Sequence, residues 1–320
     1  MVEALMTRAI LTRVLSAAVI ILVVSAIVFF GLVALPGDAA QAILGRQATP
    51  ELLSQFRAEH GLDVPAIQRY FEWLGGLFHG DLGTSLVSGQ PIGQQLSGRV
   101  MYTVALAAAA SLVLIPVSLV LGLWSATRAT KATDNVISGS TLVFLSIPEF
   151  VIGALVIALF AVTWPLLPAN SLFDSTVPIF AQYQYLILPT LTLVLAASAQ
   201  ATRMIRATMI DVLRSDYIQI AELKGVPQRQ ILFRHALPNA LGPTLQIFAF
   251  TIAWLVGGVV TVEVVFSYPG LGSALVDAVH NRDFPVVLAI VMLATAAYVV
   301  LIMLADIAAM VLNPRLRKAA

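Results

Sequence analysis

Three carboxylates sit inside or beside long apolar runs, and their placement makes them the first candidates for chemistry: Glu149, Glu263 and Asp306. A charged side chain at mid-bilayer costs about 2.5–3.5 kcal/mol on insertion scales, so each should face protein or water. Glu149 follows Pro148, whose missing N–H frees a carbonyl and kinks a helix. Pro148 and Glu149 are therefore expected to line a translocation pathway, with Glu149 reading a substrate amine. The competing reading pairs that carboxylate with a neighbouring helix. Glu263 lies near the outer end of its run. Asp306 lies about two turns from the inner end of its run and could reach Arg315 or a lipid headgroup.

Other chemistry finds no support. His60, His79, His235 and His280 are scattered and lack the i,i+4 spacing of metal ligands. There is no cysteine to serve as nucleophile, thiolate ligand or disulfide partner. No Ser/His/Asp order stands out, and without a Gly-Lys dipeptide there is no P-loop of the usual form. We expect no catalytic residue, no metal site and no cofactor bound by this chain. The net charge of +1 carries no global basic excess for nucleic acid.

The elements that must position these residues are membrane helices. Hydrophobic residues make up 59% of 320 positions and charged residues only 11%, where an ordinary soluble domain is about 25% charged. A spanning helix needs about 20 mostly apolar residues, because its backbone must be satisfied within the segment. Six stretches qualify: 14–35, 102–124, 137–162, 185–201, 245–266 and 286–312. The fourth is short and carries Pro189. The first is too long for a signal-peptide core and lacks a small-residue cleavage site after it, so it reads as a retained span.

Lys and Arg in the connections set the orientation. With the N-terminus inside, thirteen of the eighteen basic residues fall in cytoplasmic segments. Both termini are then expected to be cytoplasmic. The outer connection 36–100 is too long for a turn and reads as two short helices. Thr49-Pro50-Glu51 caps the first and Gly61 stops it; Pro65 starts the second, with Ile67, Tyr70, Phe71 and Leu74 on one face. A folded outer cap explains this segment better than direct substrate contact. The Ala105–Ala110 run (residues 105–110) suits a close helix–helix contact, and Gly257-Gly258 allows the same or a bend.

The longest cytoplasmic segment, 203–243, draws a helix over 211–224, a turn at Gly225, and a second helix over 228–237 that Pro238 stops. By composition alone the segment could simply be a basic topological anchor. The order Ala221, Gly225, Leu237-Pro238 resembles the EAA loop of ABC-importer permeases, with Gln219-Ile220 where that pattern has an acid-alanine pair, Glu222 displaced by three residues, and His235 in place of isoleucine. Leu35-Pro36-Gly37-Asp38, Gly80-Asp81-Leu82-Gly83-Thr84-Ser85, Arg234-His235-Ala236-Leu237, the run from Val262-Glu263 through Phe266-Ser267-Tyr268-Pro269-Gly270-Leu271-Gly272, and Asn313-Pro314-Arg315 are similar to B-type permeases of oligopeptide and dipeptide importers.

The resemblance implies an all-α polytopic bundle of six spans with the type I ABC permease fold. Its parts would be an N-terminal segment and first helix (1–35), an extracytoplasmic helical loop (36–100), a core permease domain (101–312) and a cytoplasmic tail (313–320). It also implies a bacterial cytoplasmic membrane, a second homologous permease, two ABC ATPase subunits that use ATP and Mg, an extracytoplasmic substrate-binding protein and a peptide substrate. Tyr217, Ala221, Glu222, Gly225, Leu237 and Pro238 would form the ATPase-coupling loop, and the motif match at Glu263 implies an architectural role for it at the outer gate. Nickel and glutathione carriers share this permease group. A stand-alone secondary transporter or channel would explain six spans and buried carboxylates without the loop pattern, and a membrane scaffold would need no polar residues aimed at a shared path.

Overall fold

The computed structural model describes residues 2–35, 39–45, 48–174 and 176–312. Helix α1 (Val2–Val33) is followed by α2 (Ala39–Leu44), α3 (Pro50–Glu59) and α4 (Ala66–Phe78). Long α5 (Ile92–Thr127) leads to α6 (Ala132–Ser146), α7 (Glu149–Ile157) and α8 (Gln184–Leu213). Then come α9 (Asp216–Leu223), the single turn α10 (Gln228–Gln230), α11 (Leu237–Val265), α12 (Leu271–His280) and α13 (Phe284–Leu312). Among the described residues, four helices are long and apolar enough to cross a membrane, and counting two bent pairs as spans gives six. The segments 36–38, 46–47 and 313–320, which carry parts of the sequence motifs at Pro36-Gly37-Asp38 and Asn313-Pro314-Arg315, lie outside the described residues.

Helix α8 is the centre of the bundle. It packs along α5 and against α6, α7 and α11, and 61% of its apolar window is buried. Small residues bring the backbones together: a Cβ on Gly122 of α5 would lie 2.7 Å from Ile205 of α8. In lipid such close packing, not apolar burial, holds helices together. Ala105 and Ala110 are buried in the expected manner, and Ala110 joins the main cluster with Leu106, Leu193, Leu255 and Phe266.

Both central spans outrun their hydropathy. Helix α5 has 36 residues, about 54 Å, and begins at Ile92 because polar Gln94, Gln95 and Arg99 continue the same helix past the apolar run. Helix α8 continues twelve residues past 201, through Arg203 and Arg206. Pro189 sits within it at little cost: the Tyr185 carbonyl it would have bonded accepts from Ser171 Oγ at 2.8 Å.

The third expected span is broken. Helices α6 and α7 meet at 102°, with Ile147 in extended conformation before Pro148. Proline drives the preceding residue out of the helical region, and here the result is a sharp turn in the chain where a kink was expected. A π-helical turn, Ala158–Thr163, follows α7.

The segment between α1 and α5 is folded. Thr49 accepts the Leu52 N–H, Pro50 opens α3, and Gly61 has φ +62. Tyr70 of α4 packs on Phe29 at 5.3 Å and meets Ser25 of α1 at 2.9 Å. The expected apolar face of α4 divides, since Tyr70 and Leu74 pack inward while Ile67 and Phe71 stay exposed. Tyr70 shares a buried cluster with Phe29 of α1 and Leu288 of α13, and that contact covers only part of so wide a stripe. Further on, Ser85 Oγ donates to Asp283 Oδ2 at 2.5 Å and the Leu86 N–H donates to Oδ1 at 3.1 Å. The loop is thereby stitched to the α12–α13 junction.

Candidate functional site

The α8–α11 connection is shorter and more ordered than its sequence suggests. Residues 203–213 belong to α8, so the connection proper begins at Arg214. Pro238 does not end the second helix. The π-helical turn Ile231–Ala236 runs directly into α11, which carries Pro238 in its first turn. Such a turn re-pairs the chain, the Leu237 N–H reaching the Leu232 carbonyl, and so accommodates the proline.

Helix α9 ends in a Schellman turn. The Val226 N–H donates to the Ala221 carbonyl at 3.2 Å, the Gly225 N–H donates to that of Glu222 at 2.9 Å, and Gly225 has φ +76. This geometry accounts for the spacing Ala221 to Gly225: the glycine takes the left-handed position and the alanine supplies the apolar contact to Val226. Ile218 is fully buried, and Ala221 and Leu237 pack beside it in a cluster with Met209, Ile231 and Ala240. The opposite face offers Tyr217 at 43% exposure, Ile220 at 52% and Leu223 at 89%, with Phe233 near in the chain at 57%. Glu222 and Pro238 are also exposed.

Behind this cluster lies a group that the sequence reading passed over. Asp134 is buried at the start of α6 and takes both Nε and Nη2 of Arg206, each at 2.7 Å. Ser125 Oγ donates to it at 2.5 Å and the Thr130 N–H at 2.9 Å. One carboxylate thus joins α5, the α5–α6 turn, α6 and α8. The available signal was a lone acid at the head of an apolar run, which must find a partner. Counting Arg206 only as a topology marker hid it.

Glu263 anchors the opposite end of the bundle. It is fully buried. The Gly272 and Ser273 N–H groups donate to its Oε2 at 2.6 and 3.1 Å. Thr103 donates to Oε1 at 2.6 Å and accepts the Leu271 N–H at 2.8 Å. The first three N–H groups of α12 are therefore satisfied, with a carboxylate at the positive end of its dipole. A Cβ at Gly270 would overlap Glu263 and one at Gly272 would lie 2.4 Å from Val260, so both glycines are required by space. Tyr268 donates its hydroxyl to the Tyr102 carbonyl at 2.7 Å and stacks edge-on against Phe173.

Pro148 and Glu149 stand apart from both groups. Pro148 precedes the first turn of α7, where Glu149, half-buried, meets the favourable end of the helix dipole. Asp306 pairs with Arg13 of α1. Arg315, the partner anticipated for it, lies outside the described residues.

The family described as binding-protein-dependent transport system inner membrane component matches residues 118–318, and its N-terminal counterpart matches 6–107. A probable peptide ABC transporter permease protein of Sinorhizobium fredii is 33% identical over 308 residues, covering 96% of this chain and 98% of the relative. An oligopeptide transport system permease protein of Bacillus subtilis is 33% identical over 314 residues, with 97% and 99% covered. A glutathione transport system permease protein of Pectobacterium atrosepticum is 35% identical over 299 residues, with 93% and 94% covered.

Proposed function

This chain belongs to the family of binding-protein-dependent transport system inner membrane components, and on that premise we propose that it forms, with a second homologous permease, the path for peptides across a bacterial cytoplasmic membrane. An extracytoplasmic binding protein delivers the substrate. Two ATPase subunits, which use ATP and Mg, dock on this chain and its partner. The basic end of the bundle, with Arg128, Lys131, Arg203 and Arg214, faces the cytoplasm.

The observation that carries this reading is α9. It is a short helix whose buried face is fixed by Ile218 and whose free face is an apolar stripe, Tyr217, Ile220 and Leu223. A stripe of that kind on the water side of a membrane protein marks a docking surface. Closure of the ATPases on ATP would move α9 as a lever, swinging packed helices between two arrangements. Glu263, by holding the start of α12 at the other end, keeps the outer gate in register. The substrate class rests on the peptide and glutathione systems for which the relatives are named.

Reconstitution tests it. Vesicles holding both permeases and the ATPases should take up peptide only with binding protein and ATP. Uptake driven by an ion gradient alone would return the chain to the secondary transporters.

A further inference from the structure

Helix α8 is almost wholly buried from Thr192 to Thr202, and its exposed residues then recur on one face: Gln200, Arg203, Met204 and Ala207. The neighbouring helix α6 turns Asn135, Ser138, Leu142 and Leu145 to the same groove. Two cavities of about 370 Å³ each lie along it. The one towards the basic end is bounded by Asn135, Ser138 and Arg203, beside the Asp134–Arg206 pair. The other is bounded by Gln200, Thr251, Phe250 and Trp254.

This groove differs in kind from the lipid-exposed surface. Helix α5 exposes Leu112, Val113 and Val120, an apolar face suited to acyl chains. Amide, hydroxyl and guanidinium groups at membrane depth instead face protein or water. Charge then selects the occupant. Asp134 and Arg206 neutralise each other, whereas Arg203 is exposed and has no partner among the described residues. The groove therefore carries one uncompensated positive charge, with a neutral amide and aromatic rings above it.

We infer that the α6–α8 groove is this chain's wall of the substrate path, and that Arg203 receives a substrate carboxylate near its inner end. The inference rests on the transport function proposed above and assigns its path to particular residues. An Arg fork matches a carboxylate in shape as well as charge, Gln200 can bond a peptide amide from either side, and Trp254 and Phe250 give apolar side chains a surface.

The absence of cysteine allows a direct test. The full complex, in phosphatidylcholine nanodiscs, carries Gln200→Cys or Ser138→Cys, with Leu112→Cys and Val113→Cys as lipid-facing controls. It is treated with anionic sulfonatoethyl and cationic trimethylammonioethyl methanethiosulfonates. Gln200→Cys and Ser138→Cys should react at least roughly tenfold faster than the controls, since only ionised thiol in water reacts. The anionic reagent should be favoured at Gln200→Cys, and Arg203→Gln should remove that preference while Arg203→Lys keeps it. Trialanine with binding protein and ATP should slow the labelling. Labelling at the control rate would place the groove against the partner permease or lipid and overturn the inference. So would an anion preference that Arg203→Gln leaves unchanged, or protection that appears only when phosphatidylglycerol is added, which would make Arg203 a headgroup contact. ATP-driven trialanine uptake by wild-type vesicles is measured in parallel. Its absence would overturn the transport function itself, and this inference with it.

Discussion

Gly225 is required for its backbone and not for its size. Nothing lies within 4 Å of the position its Cβ would take, yet φ is +76, a region costing a side chain roughly 1–2 kcal/mol and a β-branched one more. Gly225→Val should leave insertion intact but open the Schellman turn, so that ATP hydrolysed per peptide transported rises severalfold. Gly225→Asn, tolerated in that region, should stay near wild type. Normal coupling in the valine variant would reduce the loop to a topological anchor. Gly270 and Gly272 are the opposite case, excluded from substitution by the Glu263 carboxylate and the Val260 backbone. Glu263→Ala strands two N–H groups of α12, at about 1–3 kcal/mol each. Its thermal unfolding midpoint in detergent should fall well below that of Glu263→Gln, which keeps one acceptor. At this scale the sequence spoke clearly for Gly225 and for a break at Pro148, whose backbone rules are local, but not for Gly270 and Gly272, which tertiary space fixes. Asp134 was visible as a lone acid at the head of an apolar run, but its partner, 72 positions away, left no local trace.

Hydropathy measures how far an element is wetted by lipid, and that differs from how far it is helical. Six spans were legible from apolar runs, but α5 and α8 extend beyond theirs because polar helical turns continue where protein replaces lipid. The break at Pro148 was visible as a kink and realised as a reversal of 102°, since neighbouring helices and not the proline choose the angle. The Asp134–Arg206 pair then matters as a brace between α6 and α8, directly behind the cluster that seats α9. Asp134→Leu alone leaves a guanidinium without its carboxylate and should cost about 3 kcal/mol, the lower part of the range for breaking such a pair because Arg206 still touches water. Adding Arg206→Met should restore most of the unfolding midpoint. If the double variant regains stability but hydrolyses ATP without transport, the brace also transmits force from α9.

For the molecule as a whole, the question is how force would enter the bundle if partner subunits hydrolyse the ATP, as proposed above. On that reading water-soluble subunits would dock on the surface around α9, and the structure makes that surface stiff from behind and apolar in front. Stiffness comes from Ile218, Ala221, Ile231 and Leu237 sharing one cluster with α8 and α11, so a push on α9 reaches both helices that border the groove at Gln200 and Trp254. Arg13 and Asp306 tie the peripheral α1 to α13. If the ATPases dock as proposed, docking and folding fall to different faces of α9, which makes them separable. Leu223, at 89% exposure, takes little part in the fold, so Leu223→Asp should leave the unfolding midpoint within about 0.5 kcal/mol of wild type. The same substitution places a charge on the most exposed residue of the proposed docking stripe, where desolvation without a partner costs several kcal/mol. The ATPases should then fail to co-purify with the permease, and Tyr217→Ala should weaken them less. Retention of the ATPases by the Leu223→Asp protein would move the docking surface away from α9, to the neighbouring Phe233.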